Sequence, residues 1–182
     1  MTDYAVHTPG SAPEASRPAL QALHDAFGLV PNLAGAMAGS PVLIGAFVDV
    51  FRKVHAGSFG EAQIQVLLLT DAVANACPWA VAFHTMLALK EGVAPADVRA
   101  IRERRAPHDA PFAALSALAR AMIERRGHVD DATLGRFTAA GFTSAQALEA
   151  IAVVAASTIT NYAGNLTNPP LEAMLQEHAW TP

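Results

Sequence analysis

The stretch QVLLLTDAVANACPWAVAFHTMLALKEGV, residues 65–93, decides how the rest of the chain is read. Its apolar residues never alternate with period two, so it reads as buried helix rather than strand. A long apolar helix runs to about residue 76, and Pro78 restarts the chain as a second helix that stops at Gly92. The joint holds the single cysteine, Cys77, and His84 follows seven residues later. At a helix N-terminus, unpaired N–H groups and the helix dipole favour a thiolate, so Cys77 is expected to have a lowered pKa. Cys77, Ala80 and His84 share one helical face, but positions 77 and 84 lie about 10 Å apart along the axis. A direct bond between them needs the histidine to lean back or a water to intervene, and a residue at position 80 would stand much nearer the imidazole. The residues alone leave a blander alternative open. A lone cysteine in an apolar helical chain is more often inert packing than a nucleophile. A histidine in a stripe such as Val81, His84, Leu87 and Ala88 is more often a core residue satisfied by one hydrogen bond, and Met86 reads as core filler.

Outward from this stretch the chain is helical throughout. Residues 1–16, rich in Pro, Ser, Gly and Ala, read as a flexible N-terminal arm, and 17–182 as a single helical domain. Ser16 is a candidate N-cap with Pro18 in the first turn, Leu20, Leu23 and Phe27 form one buried face, and Gly28 stops the helix. A short turn follows from Val30-Pro31-Asn32. Ser40-Pro41 opens a helix with the stripe Leu43, Ile44, Phe47, Val50 and Phe51, which Gly57 ends. Ser58 and Glu61 fit a capping box for the helix that carries Gln65. Beyond Gly92, helices are expected at about 95–105, 109–126, 131–140 and 144–162, with a final turn or two after Pro169-Pro170. The joints at residues 92–101 and 141–151 echo each other, compatible with two similar helical halves. The fold class is all-α, with about seven to nine helices.

Composition narrows the function. Apolar residues make up 52% of the 182 residues and charged ones 15%, so the chain has apolar surface to spare and an oligomer is expected. A net charge of −4 without a basic stripe argues against nucleic acid as a partner. Arg99, Arg102, Arg104 and Arg105 read as a solvated helix end. One cysteine excludes an intrachain disulfide and suits a reducing cytoplasm. The first residues show no signal-peptide pattern, and the most apolar runs are too short or too polar-flanked for a bilayer. His24, His55, His84, His108, His128 and His178 show no i, i+4 pairing with carboxylates, so no metal site is expected, and no cofactor.

The run 75–98 resembles the core motif of the carboxymuconolactone decarboxylase and alkylhydroperoxidase AhpD superfamily. That motif is a Glu, about a dozen residues, then Asn-x-Cys-x-Tyr-Cys-x-x-x-His and a Gly-containing joint. Asn75, Cys77, Trp79 (in place of Tyr) and His84 fall on it, with Gly92-Val93 following. Residues 27–33, FGLVPNL, and Ser40-Pro41 are similar to the N-terminal segment of the peroxidase-related branch. The resemblance implies an AhpD-like helical bundle assembled as trimers or hexamers. In peroxidase members it implies that the second cysteine attacks the peroxide, helped by the histidine and the glutamate, while the first resolves the sulfenic acid. Here Ala80 replaces that second cysteine and Gln65 the glutamate, and Glu61 lies a turn away, displaced by about 6 Å. Cys77, His84 and Gln65 are therefore the candidate catalytic residues, with Trp79 as a pocket wall or lid. Three functions fit. Cys77 is a one-cysteine thiol peroxidase site recycled by an external thiol; or His84 is a general acid/base in a redox-free lyase or isomerase of the decarboxylase type, with Gln65 orienting a carbonyl or carboxylate of the small-molecule substrate; or the site has decayed to a binding or assembly module.

Overall fold

A computed structural model describes residues 4–182. Nine α-helices follow one another among the described residues, with no strand. They are α1 (Arg17–Phe27), α2 (Asn32–Met37), α3 (Pro41–His55), α4 (Glu61–Ala74), α5 (Pro78–Lys90), α6 (Pro95–Arg102), α7 (Ala110–Glu124), α8 (Asp131–Ala139) and α9 (Ser144–Thr167). Single 3-10 segments, Glu14–Ser16 and Ala173–His178, precede and follow them.

The stretch quoted first forms the centre. A helix that is apolar all round has no solvent face to offer, and it must be enclosed. Accordingly every residue of α4 from Ile64 to Val73 is buried. It packs against α5, α7, α9 and α6, while α3 and α2 close over α9 and the C-terminal 3-10 segment packs on α5. The α4–α5 joint is tight. Ala76 takes a left-handed conformation, φ 49°, which costs an alanine about 1–2 kcal/mol. The amide of Cys77 donates back to Ala72 O at 3.0 Å and Asn165 of α9 donates to Asn75 O at 2.9 Å, which hold the turn in place.

Local signals act as the residue types demand at most helix ends. Ser40, Asp109, Asp130 and Thr143 each accept a backbone N–H at the start of α3, α7, α8 and α9. Gly28, at φ 77°, ends α1 as an L side chain there would be strained. α9 runs on past Tyr162 to Thr167, because Gly164 is helical and the stop is Asn168 in the left-handed region.

Four expectations are corrected. Ser16 does not cap α1; its hydroxyl donates to Ala38 O at 2.7 Å, in the core. The 58–61 capping box does not form either. Gly60 is the N-cap of α4, the Gln63 side chain accepts its amide, and Ser58 is held by Glu149 of α9 through both its amide and its hydroxyl. The arginine cluster is not simply solvated. Arg102 reaches inward to Thr85 Oγ1 and to the carbonyls of His178 and Ala179, and Arg104 donates to Val73 O. The segment before α1, expected as an arm, is stitched down: His7 donates to Gly35 O at 3.1 Å and Ala12 is buried. Residues 1–3 of that arm lie outside the described residues. The echo between residues 92–101 and 141–151 is local: Gly92 and Gly141 both have positive φ before a new helix, but α6 has eight residues and α9 twenty-four.

No single helix is long and apolar enough to cross a membrane among the described residues.

Candidate functional site

The α4–α5 hairpin sets Gln65 beside His84, both buried, with Oε1 of the amide 3.0 Å from Nδ1 of the ring. With the amide oxygen facing the ring, Nδ1–H donates and Nε2 is left as the free nitrogen with its lone pair available. Burial pushes the His84 imidazole down to about 3, and a proton on the neighbouring His55, when present, acts in the same direction. The ring is therefore neutral throughout the physiological range. A carboxylate at position 65 would hold a proton on this ring by charge, whereas an amide orients it without doing so.

Gln65 and His84 stand together at one end of a mostly apolar pocket between α1, α2, α3, α4, α5 and α9. Phe27, Phe47, Phe51, Trp79 and Phe83 supply most of the wall, and Ala80 stands on it as well. The cavity itself is about 70 Å³, room for several water-sized groups, and its mouth is open to solvent. The wall is an aromatic cluster with defined contacts. Trp79 stacks on Phe83 at 4.9 Å between centroids, and Phe27 meets Phe83 edge-on at 5.3 Å. Trp79 is fixed from behind, its Nε1 donating to Glu172 Oε2 at 3.0 Å, while the other oxygen of Glu172 accepts the amide of Asn32 at 2.7 Å. Trp79 is thus a braced wall.

Cys77 lies elsewhere. It is the N-cap residue of α5, fully buried, and not part of the pocket lining. Its sulfur packs against α9 so closely that a Cβ added at Gly164 would come within 2.8 Å of Sγ. Burial pushes the Cys77 thiol up; the amides of Ala80 and Trp79 oppose that shift without reversing it. The expected lowering by the helix terminus is the smaller effect, because the terminus is enclosed and desolvation favours the neutral thiol. Of the four candidates, then, Gln65, His84 and Trp79 come together on one pocket and Cys77 stands apart from it.

One polar pair at this pocket went unremarked in the sequence. His55, the last residue of α3, lines the wall, and its Nδ1 sits 3.0 Å from both carboxylate oxygens of Glu61, the first residue of α4. The spacing is i, i+6 across a loop containing Gly57 and Gly60, so a search for helical i, i+4 pairs passes over it. A histidine ending one helix and a carboxylate opening the next, joined by a short glycine-containing loop, is the signal that would have found it. Tyr162, Asn161 and Asn165 do not line this pocket: Tyr162 is exposed, Asn161 bonds Ser157 within α9, and Asn165 serves the α4–α5 turn. A further buried acid, Asp71 of α4, has no well-formed hydrogen bond on either carboxylate oxygen among the described residues; burial raises its pKa well above the ordinary range, and the nearby Ser157 hydroxyl opposes that shift without reversing it.

In sequence, no family model and no curated protein matches this chain. Solved structures do match its fold. An uncharacterized peroxidase-related protein from Ralstonia eutropha JMP134, described as an alkylhydroperoxidase AhpD core, superposes with a TM-score of 0.81 at 19% identity, covering 94% of this chain and 93% of that one. The debrominase Bmp8 superposes with a TM-score of 0.80 at 19% identity, covering 98% and 96%. A cysteine-to-alanine variant of Bmp8, in complex with 2,3,4-tribromopyrrole, gives 0.78 at 18% identity, covering 98% and 96%. The chain has the all-α AhpD-like fold.

Proposed function

We propose that this chain is a redox-free small-molecule site in an AhpD-like scaffold. Its ligand is an uncharged, mostly apolar ring compound that presents one N–H or O–H group to Nε2 of His84. The observation that supports this most directly is the separation of sulfur from pocket. The wall position that would carry an attacking cysteine is Ala80, and the one thiol of the chain is sealed between α5 and α9 with its pKa raised. The neutral His84–Gln65 pair supplies a hydrogen bond and no charge, which selects against carboxylate and phosphate ligands in so apolar a wall. The tribromopyrrole held by the Bmp8 variant is a compound of this description, a flat apolar ring with one N–H.

The one-cysteine peroxidase remains the competing function, since two of the structural neighbours are peroxidase-related. It would need Cys77 to meet peroxide and then an external thiol, and burial opposes both steps. A single experiment separates the two. Trp180→Phe leaves Trp79 as the only indole, so titration with 2,3,4-tribromopyrrole or a phenol of similar size should quench its fluorescence saturably. Cys77→Ala should leave that affinity within about twofold, and His84→Ala should weaken it about tenfold, the worth of one hydrogen bond near 1.4 kcal/mol. A dimedone adduct at Cys77 of the folded protein under dilute peroxide, with thiol-dependent turnover, would establish the peroxidase instead.

Assembly belongs to the same proposal. Leu148, Ile151, Ala155, Tyr162 and Leu166 form an exposed stripe along α9, spaced as one face of a helix, which suits self-association into the trimer or hexamer expected above. A cytoplasmic setting, in keeping with a single unpaired cysteine, completes it.

A further inference from the structure

We propose that His55, oriented by Glu61, is the general base of this pocket and removes a proton from the bound ring compound. This rests on the pocket being a ligand site, as argued above, and adds a reaction to it. The geometry is that of a carboxylate–imidazole pair. Nδ1 of His55 lies 3.0 Å from each oxygen of Glu61, so the carboxylate takes the Nδ1 proton as a hydrogen bond and leaves the lone pair on Nε2. The ring is held on its flank by Phe51, 4.3 Å between centroids, so the bond to Glu61 and the contact with Phe51 together fix its plane. His55 is part of the pocket lining, and its side chain is 23% exposed against 46% for Glu61. The pair therefore spans from pocket to solvent, the position a proton carrier needs.

A surface ion pair at a helix joint would explain the bond but not its place. Such pairs contribute little to stability, and nothing in helix pairing requires the histidine to stand on the wall of an apolar pocket. The two imidazoles of the pocket also differ in what backs them. Gln65 cannot stabilise a charge on His84, and burial keeps that ring neutral. Glu61 stabilises an imidazolium on His55. The titratable groups facing His55 are Glu61 from α4 and the neutral His84 across the pocket, whose lining among the described residues holds no Lys or Arg.

In the step, the Nε2 lone pair of His55 forms a bond to the ligand's acidic hydrogen. The ligand's C–H or N–H bond breaks, and its electron pair stays on the ring or expels a leaving group. The imidazolium is held by the Glu61 carboxylate and then gives its proton to water. His84 binds the ligand; Glu61 is a positioning residue.

The reaction can be tested with 5-nitro-1,2-benzisoxazole, an uncharged flat compound that reports proton abstraction directly; having no N–H or O–H, it makes no hydrogen bond to His84 and relies on the aromatic wall for binding. A base takes the hydrogen on C3, the C–H pair becomes the third carbon–nitrogen bond, and the ring N–O bond breaks to release a coloured nitrophenolate. No other reactant is required. We expect saturable turnover by the full chain, a loss of about 100-fold or more in kcat for both His55→Ala and His55→Gln, and partial rescue of His55→Ala by added imidazole. Glu61→Gln should lower kcat about tenfold with KM within twofold. Having the larger His55→Gln alongside His55→Ala keeps the test valid if one variant fails to fold. If Trp79 fluorescence shows saturable binding of the compound but turnover does not depend on His55, the general base is overturned and the pocket stands. Absence of saturable binding by this compound, by tribromopyrrole and by the phenol overturns both.

Discussion

Replacing Gly164 by alanine should be tolerated only if Cys77 is shortened at the same time. The new methyl would sit 2.8 Å from the sulfur, well inside contact distance, and 3.8 Å from Leu33 Cδ1, which is ordinary contact. Cys77 is fully buried and turns about one side-chain bond, so the sulfur cannot easily step aside. Overpacking of this kind costs about 1–3 kcal/mol, offset by about 1 kcal/mol for exchanging a glycine for alanine inside a helix. Gly164→Ala alone should therefore fall roughly 0–2 kcal/mol below the parent. Cys77→Ala removes the sulfur and leaves a small void, at a cost of about 1–2 kcal/mol. In the double variant the methyl occupies the space the sulfur left. The clash disappears and the helix gain remains, so stability should return to within about 1 kcal/mol of the parent, a coupling of roughly 1–3 kcal/mol. Urea unfolding read by far-UV circular dichroism, with an unchanged slope and a shifted midpoint, measures all three. Additivity to within about 0.5 kcal/mol would refute the reasoning, because it would mean that the sulfur does not rest against α9.

Two buried groups give opposite pH signatures. Asp71 is raised in the folded state, so folding binds a proton there; its contribution is complete below the unfolded value near 3.9 and is lost as pH rises through the folded one. Asp71→Asn should remove that decline, at about 1.36 kcal/mol per pH unit, and make the protein more stable than the parent at neutral pH; an unchanged slope would show the acid to be solvated. His84 is depressed to about 3, so its contribution is complete above the unfolded value near 6.5 and is lost as pH falls toward 3. His84→Leu should flatten the loss of stability between about pH 6 and 4, as urea midpoints across that range would register. For the assembly, Tyr162→Glu places a charge in the exposed α9 stripe and should shift the mass seen by light scattering toward the monomer, with helical content unchanged.

The fold was legible because its decisive residues act locally or through periodicity. The unbroken apolar run of α4 announces a buried central helix, and Ser40, Asp109, Asp130 and Thr143 cap their helices through their own nearest amides. The misread ends are those where a distant partner outcompetes a local one. Ser58 had a capping partner three residues away but is taken by Glu149, ninety-one residues on, and Ser16 is drawn off by Ala38. The Gln65–His84 contact was legible as two motif positions on adjoining helices. The seclusion of Cys77 was not, since it depends on the approach of α9 at a glycine eighty-seven positions away in the chain. His55 escaped because its partner lies across a loop rather than along a helix.

The brace behind Trp79 ties the pocket to the order in which the chain is made. Most of its wall and floor comes from residues 23–87, with Ala156 and Thr160 added by α9, but Glu172, which fixes both the indole and the start of α2, is synthesised ninety-three residues after Trp79. Until that carboxylate emerges, Trp79 lacks its hydrogen-bond partner, and the wall of five aromatic side chains is expected to stand unfixed on the nascent chain. Contacts this distant in sequence close slowly, and an exposed aromatic cleft is what chaperones and neighbouring nascent chains bind. The same brace that steadies the finished pocket therefore makes its completion a late event in folding. Ribosome stalling before residue 172 should leave chains that are helical, sticky and unable to hold a ligand.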